Sequence, residues 1–183
     1  MTHPLRFGIS LPVEHIAEDS IAERFANLLE VARVAEAAGF DTLSAPQHYL
    51  ASPSQYLHCI PVLARIAGET ATARLCTNII QLTLMHPVDI AESLATLDIA
   101  CGGRLVAGFG LGYNEREFSA FGVAPGTRLR RFLEALDLVK RLWTEPCVTH
   151  DGEFFKLDGD SIGIRPLQSP RPPVIVAASA DKM

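Results

Sequence analysis

His48 is the side chain in this 183-residue sequence best suited by type and place to move a proton near neutral pH. It follows Pro46-Gln47, just past a short apolar run, and so stands in the loop after a strand. A second feature is Gly108-x-Gly110-x-Gly112, which closes another apolar run; glycines there let backbone approach a ligand closely. A third is Thr77-Asn78-Ile79, a polar pair inside an apolar strand pattern. Each has a plainer explanation. An isolated histidine more often caps a loop, and the glycines alone fit a tight strand exit. The glycine series is not the dinucleotide fingerprint. Tyr113 occupies the place of its last glycine, the series follows the fourth strand, and no acidic strand end lies about 20 residues on. A nicotinamide dehydrogenase is therefore the third-ranked enzyme reading.

Other histidines carry less. His86 precedes a helix start and reads as a cap, His58 falls on a helix face, and His150-Asp151 sits at a hairpin tip. The sequence holds no H-E-x-x-H, no Cys/His cluster, no G-x-S-x-G elbow and no P-loop, so metal binding is not expected. Of the four cysteines, Cys59, Cys76 and Cys101 lie in apolar patterns and read as core, and none forms C-x-x-C. A reducing cytoplasm is the simplest compartment. A net charge of −5 without a Lys/Arg run argues against nucleic acid. No signal peptide is visible, and no apolar run is long enough to span a membrane.

The elements that must position these residues follow from periodicity. Strands are expected over Leu5–Leu11, Phe40–Ala45, Leu75–Leu82, Leu105–Phe109 and, as a buried strand, Pro173–Ala177. Ser20-x-x-Glu23 is a capping box opening a helix that buries Ile21, Phe25, Leu28, Ala32 and Ala35 and stops at Gly39. A helix between about Ser54 and Ala67 is kinked or started by Pro61, and Pro87 fits the first position of the next. Asn114-x-x-Glu117 opens a short helix; Thr127 opens a longer one with Leu129, Phe132, Leu136 and Val139 inward. Val148–Leu157 reads as a hairpin turning at Asp151-Gly152. Asp98 and Arg104 flank the Gly102-Gly103 turn as an expected ion pair. Repeated βα units make a parallel sheet, and alternation alone leaves a doubly wound sheet and a (β/α)8 barrel both open.

The His86-Pro87 helix start, Thr96-Leu97-Asp98, Gly102-Gly103-Arg104 and the glycine-rich strand end together resemble the bacterial-luciferase-like flavin monooxygenases. Gly39-Phe40-Asp41, Gln47-His48, Arg141-Leu142-Trp143-Thr144 and Arg171-Pro172-Pro173-Val174 extend the resemblance over nearly the whole chain. It implies an α/β fold of the TIM (β/α)8 barrel type. Only about five of the eight strands are present, in one domain over residues 1–183 that corresponds to the N-terminal portion. It implies a flavin-dependent oxidoreductase, a monooxygenase using reduced flavin (FMN) and O2 on a small organic substrate, with a flavin reductase as possible partner. His48 matches the family's catalytic histidine. Asn78, Ile79, Gly108, Gly110, Leu111 and Ser179 would contact the flavin, with a bulge or cis peptide at Asn78-Ile79. Leu111 stands where luciferase itself has an arginine for the flavin phosphate, and relatives hold that phosphate from later strands. Two alternatives remain: hydride transfer with a deazaflavin coenzyme on the same fold, or a non-catalytic flavin-binding or truncated remnant. An open fifth-strand edge leads to the expectation that the chain as given is a poor enzyme, binds FMN weakly and forms homo-oligomers.

Overall fold

The computed structural model describes residues 5–177, so Ser179 lies outside the described residues. Five strands run in order through its six-stranded main sheet: β1 (Gly8–Ser10), β2 (Thr42–Ala45), β3 (Arg74–Thr77), β4 (Leu105–Gly110) and β5 (Val174–Val176). All neighbours are parallel, and their spatial order follows the chain from β1 to β5. That order decides between the two architectures. A doubly wound sheet reverses its strand order to place helices on both faces. A sheet that never reverses, with right-handed crossovers, keeps every helix on one face, as a barrel does.

The covering helices are α1 (Ile21–Ala37), α2 (Cys59–Ala67), α3 (Pro87–Ala100), α4 (Glu115–Ala120) and α5 (Arg128–Thr144). Leu43, Leu63, Leu75, Ile90, Leu94 and Phe109 are buried between sheet and helices. α3 packs against α2 and α5, and Trp143 Nε1 donates to the Ala91 carbonyl at 2.9 Å to fix the α3–α5 contact. α1 ends where Gly39 takes φ +87°: its N–H bonds Glu36 O and the Phe40 N–H bonds Ala35 O, a Schellman closure.

Several local expectations are corrected. Ser20 is the N-cap of α1, but its side chain makes no cap bond, so the capping box does not form. Pro61 falls in the first turn of α2, with His58 at the N-cap rather than on a helix face. The strand expected over Leu75–Leu82 breaks after Thr77 and resumes as the two-residue strand Ile80–Gln81. Leu129 is exposed in the first turn of α5, which follows a short 3-10 turn over Pro125–Thr127. The expected hairpin is present over Val148–Asp151 and Lys156–Asp160, with a longer turn than Asp151-Gly152 alone. β5 is half exposed at Ile175 and Val176, since β4 is its neighbour on one side only.

Three polar clamps tie the elements around the sheet together. Asp98 and Arg104 do not pair. Asp98 is fully buried and accepts from Gln168 N and Nε2 at 3.0 and 2.7 Å. Arg104 instead donates to the carbonyls of Ala67, Thr70, Ala73 and Cys101. Glu36 accepts from the N–H groups of Ala71, Thr72 and Ala73, and from the Thr72 hydroxyl. Burial works to raise its pKa, but these hydrogen bonds outweigh it and hold the carboxyl down at about 2.

Candidate active site

The C-terminal ends of the strands surround a cavity of about 340 Å³. In parallel α/β folds this end collects the loops that carry chemistry. Gln47 and His48 enter it from the loop after β2, Asn78 and Ile79 from the break after β3, and Gly110, Leu111 and Tyr113 from the end of β4. The structure therefore brings together five of the expected residues: His48, Asn78, Ile79, Gly110 and Leu111. Gly108 is not among the lining residues.

The break after β3 has a definite geometry. The Asn78–Ile79 peptide is cis. Thr77, fully buried, turns its hydroxyl across to β4. It donates to Gly108 O at 2.9 Å and accepts from Gly108 N at 2.7 Å. A β-carbon on Gly108 would overlap the Thr77 carbonyl, so this glycine serves strand-to-strand approach rather than ligand approach. Gly110 does border the cavity, and a β-carbon there would strike the Ile79 side chain, with Ile79 Cγ1 at 3.0 Å.

Gln47 is buried and organises the wall. Its Oε1 accepts from Gln81 N at 3.1 Å, its backbone carbonyl accepts from Gln81 Nε2 at 3.2 Å, and its Nε2 lies 3.3 Å from His58 Nε2. Because an amide N–H2 can only donate, His58 Nε2 must be the acceptor, which makes the ring neutral. Burial pushes the His58 pKa down, in agreement.

His48 stands at the rim between Tyr56 and Tyr113, whose rings meet it edge-on at centroid distances of 5.6 and 5.7 Å. Its Nδ1 lies 3.1 Å from Glu117 Oε1, and the same oxygen accepts from the Tyr49 N–H at 2.8 Å. Glu117 is fully buried at the start of α4. The sequence placed it in the motif Asn114-x-x-Glu117 that opens a short helix. The Asn114 side chain does cap α4 by accepting from Arg116 N, but Glu117 turns to the loop after β2. The one available signal was its place directly after the glycine-rich strand end. Gln47, Gln81 and Tyr113 were also missed as wall residues, and Tyr56 as a neighbour of the His48 ring. Burial pushes the Tyr56 hydroxyl up to about 12, so it stays a neutral hydrogen-bonding group at physiological pH.

His86 caps α3, accepting from Val88 N at 3.4 Å, and His150 pairs with Glu134 on α5. Among the described residues no group of His, Cys, Asp and Glu is arranged to hold a metal ion, and no helix is long and apolar enough to cross a membrane. The described cysteines are all free; Cys59, Cys76 and Cys101 are buried and Cys147 is exposed.

Comparison with known proteins places this geometry. Residues 5–183 match the family model described as luciferase-like monooxygenase. The monooxygenase RslO1 from Streptomyces bottropensis superposes with a TM-score of 0.88 at 32% identity, over 94% of this chain and 53% of its own. The F420-dependent glucose-6-phosphate dehydrogenase of Kineococcus radiotolerans is 31% identical over 183 residues, covering 96% of this chain and 51% of its own length. The oxygenase component of the flavin-dependent trigonelline monooxygenase of Acinetobacter baylyi is 25% identical over 181 residues, covering 95% of this chain and 49% of its own. The chain thus spans about half the length of the curated relatives it matches.

Proposed function

The chain belongs to the luciferase-like monooxygenase family, and from that premise we propose that its cavity holds the ring system of reduced FMN for oxidation of a small organic substrate by O2. The observation that carries the reading is an apolar-walled cavity at the strand ends with a carboxyl-backed histidine on its rim. The lining suits the ring. Ile79 and Leu111 give apolar contact, Gly110 leaves the space in which Ile79 lies, and among the described residues no lysine or arginine borders the cavity. A neutral flat ring fits such walls; a phosphate does not.

Reduced flavin, when bound, supplies the electrons that make oxygen reactive. The chain's own residues do the rest. Asn78, Ile79, Gly110 and Leu111 orient the ring and keep water from that face. His48 makes no hydrogen bond among the described residues beyond Glu117, so its Nε2 is the atom available to give or take a proton at the rim. A flavin reductase would deliver the reduced cofactor; the A. baylyi relative is named as one component of its system. Four free cysteines suit a reducing cytoplasm.

A second reading keeps the site and changes the cofactor: hydride transfer with a deazaflavin. The 31% identity to an F420-dependent dehydrogenase supports it. The test is anaerobic mixing of the chain with reduced FMN, then with oxygen, while following the rate of flavin oxidation. The proposal expects a rate that departs from that of free flavin and a response to His48→Ala. Oxidation unaltered by the protein, with tight binding of reduced deazaflavin, would move the assignment to the second reading.

A further inference from the structure

We propose that Glu117 is a positioning residue that fixes the tautomer of His48, so that any proton the ring takes up or gives away passes through Nε2 at the cavity rim. The proposal rests on the flavin reading for its purpose, though not for its test.

The argument starts from burial. Glu117 is fully buried, and a carboxyl group placed there needs partners. Its Oε1 has two: the Tyr49 N–H at 2.8 Å and His48 Nδ1 at 3.1 Å. The first can only donate, which identifies Oε1 as an acceptor. With Glu117 as a carboxylate, whose oxygens only accept, the second contact requires that Nδ1 carry hydrogen. In the neutral ring one nitrogen donates and the other accepts. An Nδ1–H bonded to Glu117 therefore leaves Nε2 as a lone pair. The partner of one ring nitrogen setting the state of the other is general in histidine chemistry.

Three further features hold the arrangement. Tyr49 and His48 are consecutive, so one oxygen grips both a backbone and a side-chain atom of the same loop. The next residue, Leu50, takes φ +53°, a left-handed conformation uncommon for a bulky side chain, and the grip precedes it directly. The rings of Tyr56 and Tyr113 stand edge-on to His48 and limit its rotation. The groups facing the ring are thus Glu117, Tyr56 and Tyr113, with Glu14 and Asn114 on the rim beyond.

The test needs no cofactor. The purified full chain is labelled with 15N at histidine, and the ring nitrogens of His48 are read by long-range 1H–15N correlation at alkaline pH, with His48→Gln supplying the assignment. The Nδ1–H tautomer should predominate in the unaltered protein. Glu117→Gln can keep an acceptor oxygen at the Oε1 position and should retain that tautomer. Glu117→Leu removes the acceptor, and the Nδ1–H fraction should fall several-fold toward the mixture of an exposed histidine. An Nε2–H ring in the unaltered chain overturns the proposal, even if Glu117→Leu does not fold. So does a Glu117→Leu protein that folds with an unchanged tautomer. A chain showing the Nδ1–H ring but no affinity for FMN would leave this proposal standing and remove the flavin reading.

Discussion

Gly108→Ala should unfold this protein more readily than any change of one methyl group elsewhere on the sheet's face. The added carbon would lie 3.1 Å from the Thr77 carbonyl carbon and 3.2 Å from Ile175 Cγ1, with the Thr77 oxygen closer than any real contact. The obstacle is backbone, so no rotamer relieves it. β3 and β4 must separate, which breaks the two hydrogen bonds between the Thr77 hydroxyl and Gly108. Each is worth about 1 kcal/mol, and overpacking of a filled core adds about 1–3 kcal/mol. Loss of glycine's freedom in the unfolded chain returns about 0.4–1 kcal/mol. The net cost is about 2–5 kcal/mol by these figures, a large part of a typical total of about 5–15 kcal/mol. Urea unfolding followed by far-UV circular dichroism measures it. Gly163→Ala is the control, because nothing lies within 4 Å of a β-carbon there. A Gly108→Ala variant within about 0.5 kcal/mol of that control would refute the claim that glycine is required for strand approach, since surface changes ordinarily fall in that range.

Three other outcomes follow. Glu36→Ala should cost about 1 kcal/mol at neutral pH, a charged hydrogen-bond acceptor discounted for solvent screening. Because the folded carboxyl is held down at about 2, its stabilisation is present above the unfolded value near 4.5 and is lost as pH falls toward 2; the two proteins should converge in denaturation midpoints over that window. Arg104→Lys should cost about 2–4 kcal/mol, because one ammonium cannot reach carbonyls of Ala67, Thr70, Ala73 and Cys101 together; thermal unfolding reads it. In a complete enzyme, His48→Ala should lower turnover by about 10²-fold while leaving flavin affinity nearly unchanged, measured as single-turnover rate against equilibrium binding.

What the sequence disclosed depended on range along the chain. Pro87 at the start of α3, Asn114 at the cap of α4 and Gly39 after α1 follow rules that act within a few residues, and the structure obeys them. The βα alternation gave the parallel sheet, while the barrel-like strand order needed the family resemblance or the coordinates. Side chains with a plausible local partner misled. Ser20 and Glu23 fit a capping box, Glu117 fits a helix-opening motif with Asn114, and Asp98 and Arg104 are six positions apart and opposite in charge. For Glu117, Asp98 and Arg104 tertiary contacts won. Glu117 bonds His48, 69 positions away, and Asp98 bonds Gln168, 70 positions away. No local pattern encodes such pairings. His48, Asn78, Ile79, Gly110 and Leu111 were legible as a group through the family resemblance, and the converging strand ends bring them together, whereas Gly108 sits one pleat too early and serves the neighbouring strand.

The central claim is that the cavity between Asn78-Ile79 and Gly110-Leu111 receives a flavin ring beside His48. Backbone amide and histidine-ring NMR of the 15N-labelled chain, titrated anaerobically with reduced FMN, tests it most directly. The account predicts concerted, saturable shifts at His48, Asn78, Ile79, Gly110 and Leu111, with the hairpin over Val148–Asp160 and the clamp at Glu36 unmoved. Saturable shifts confined to another face of the molecule, or none at millimolar FMN, would contradict it.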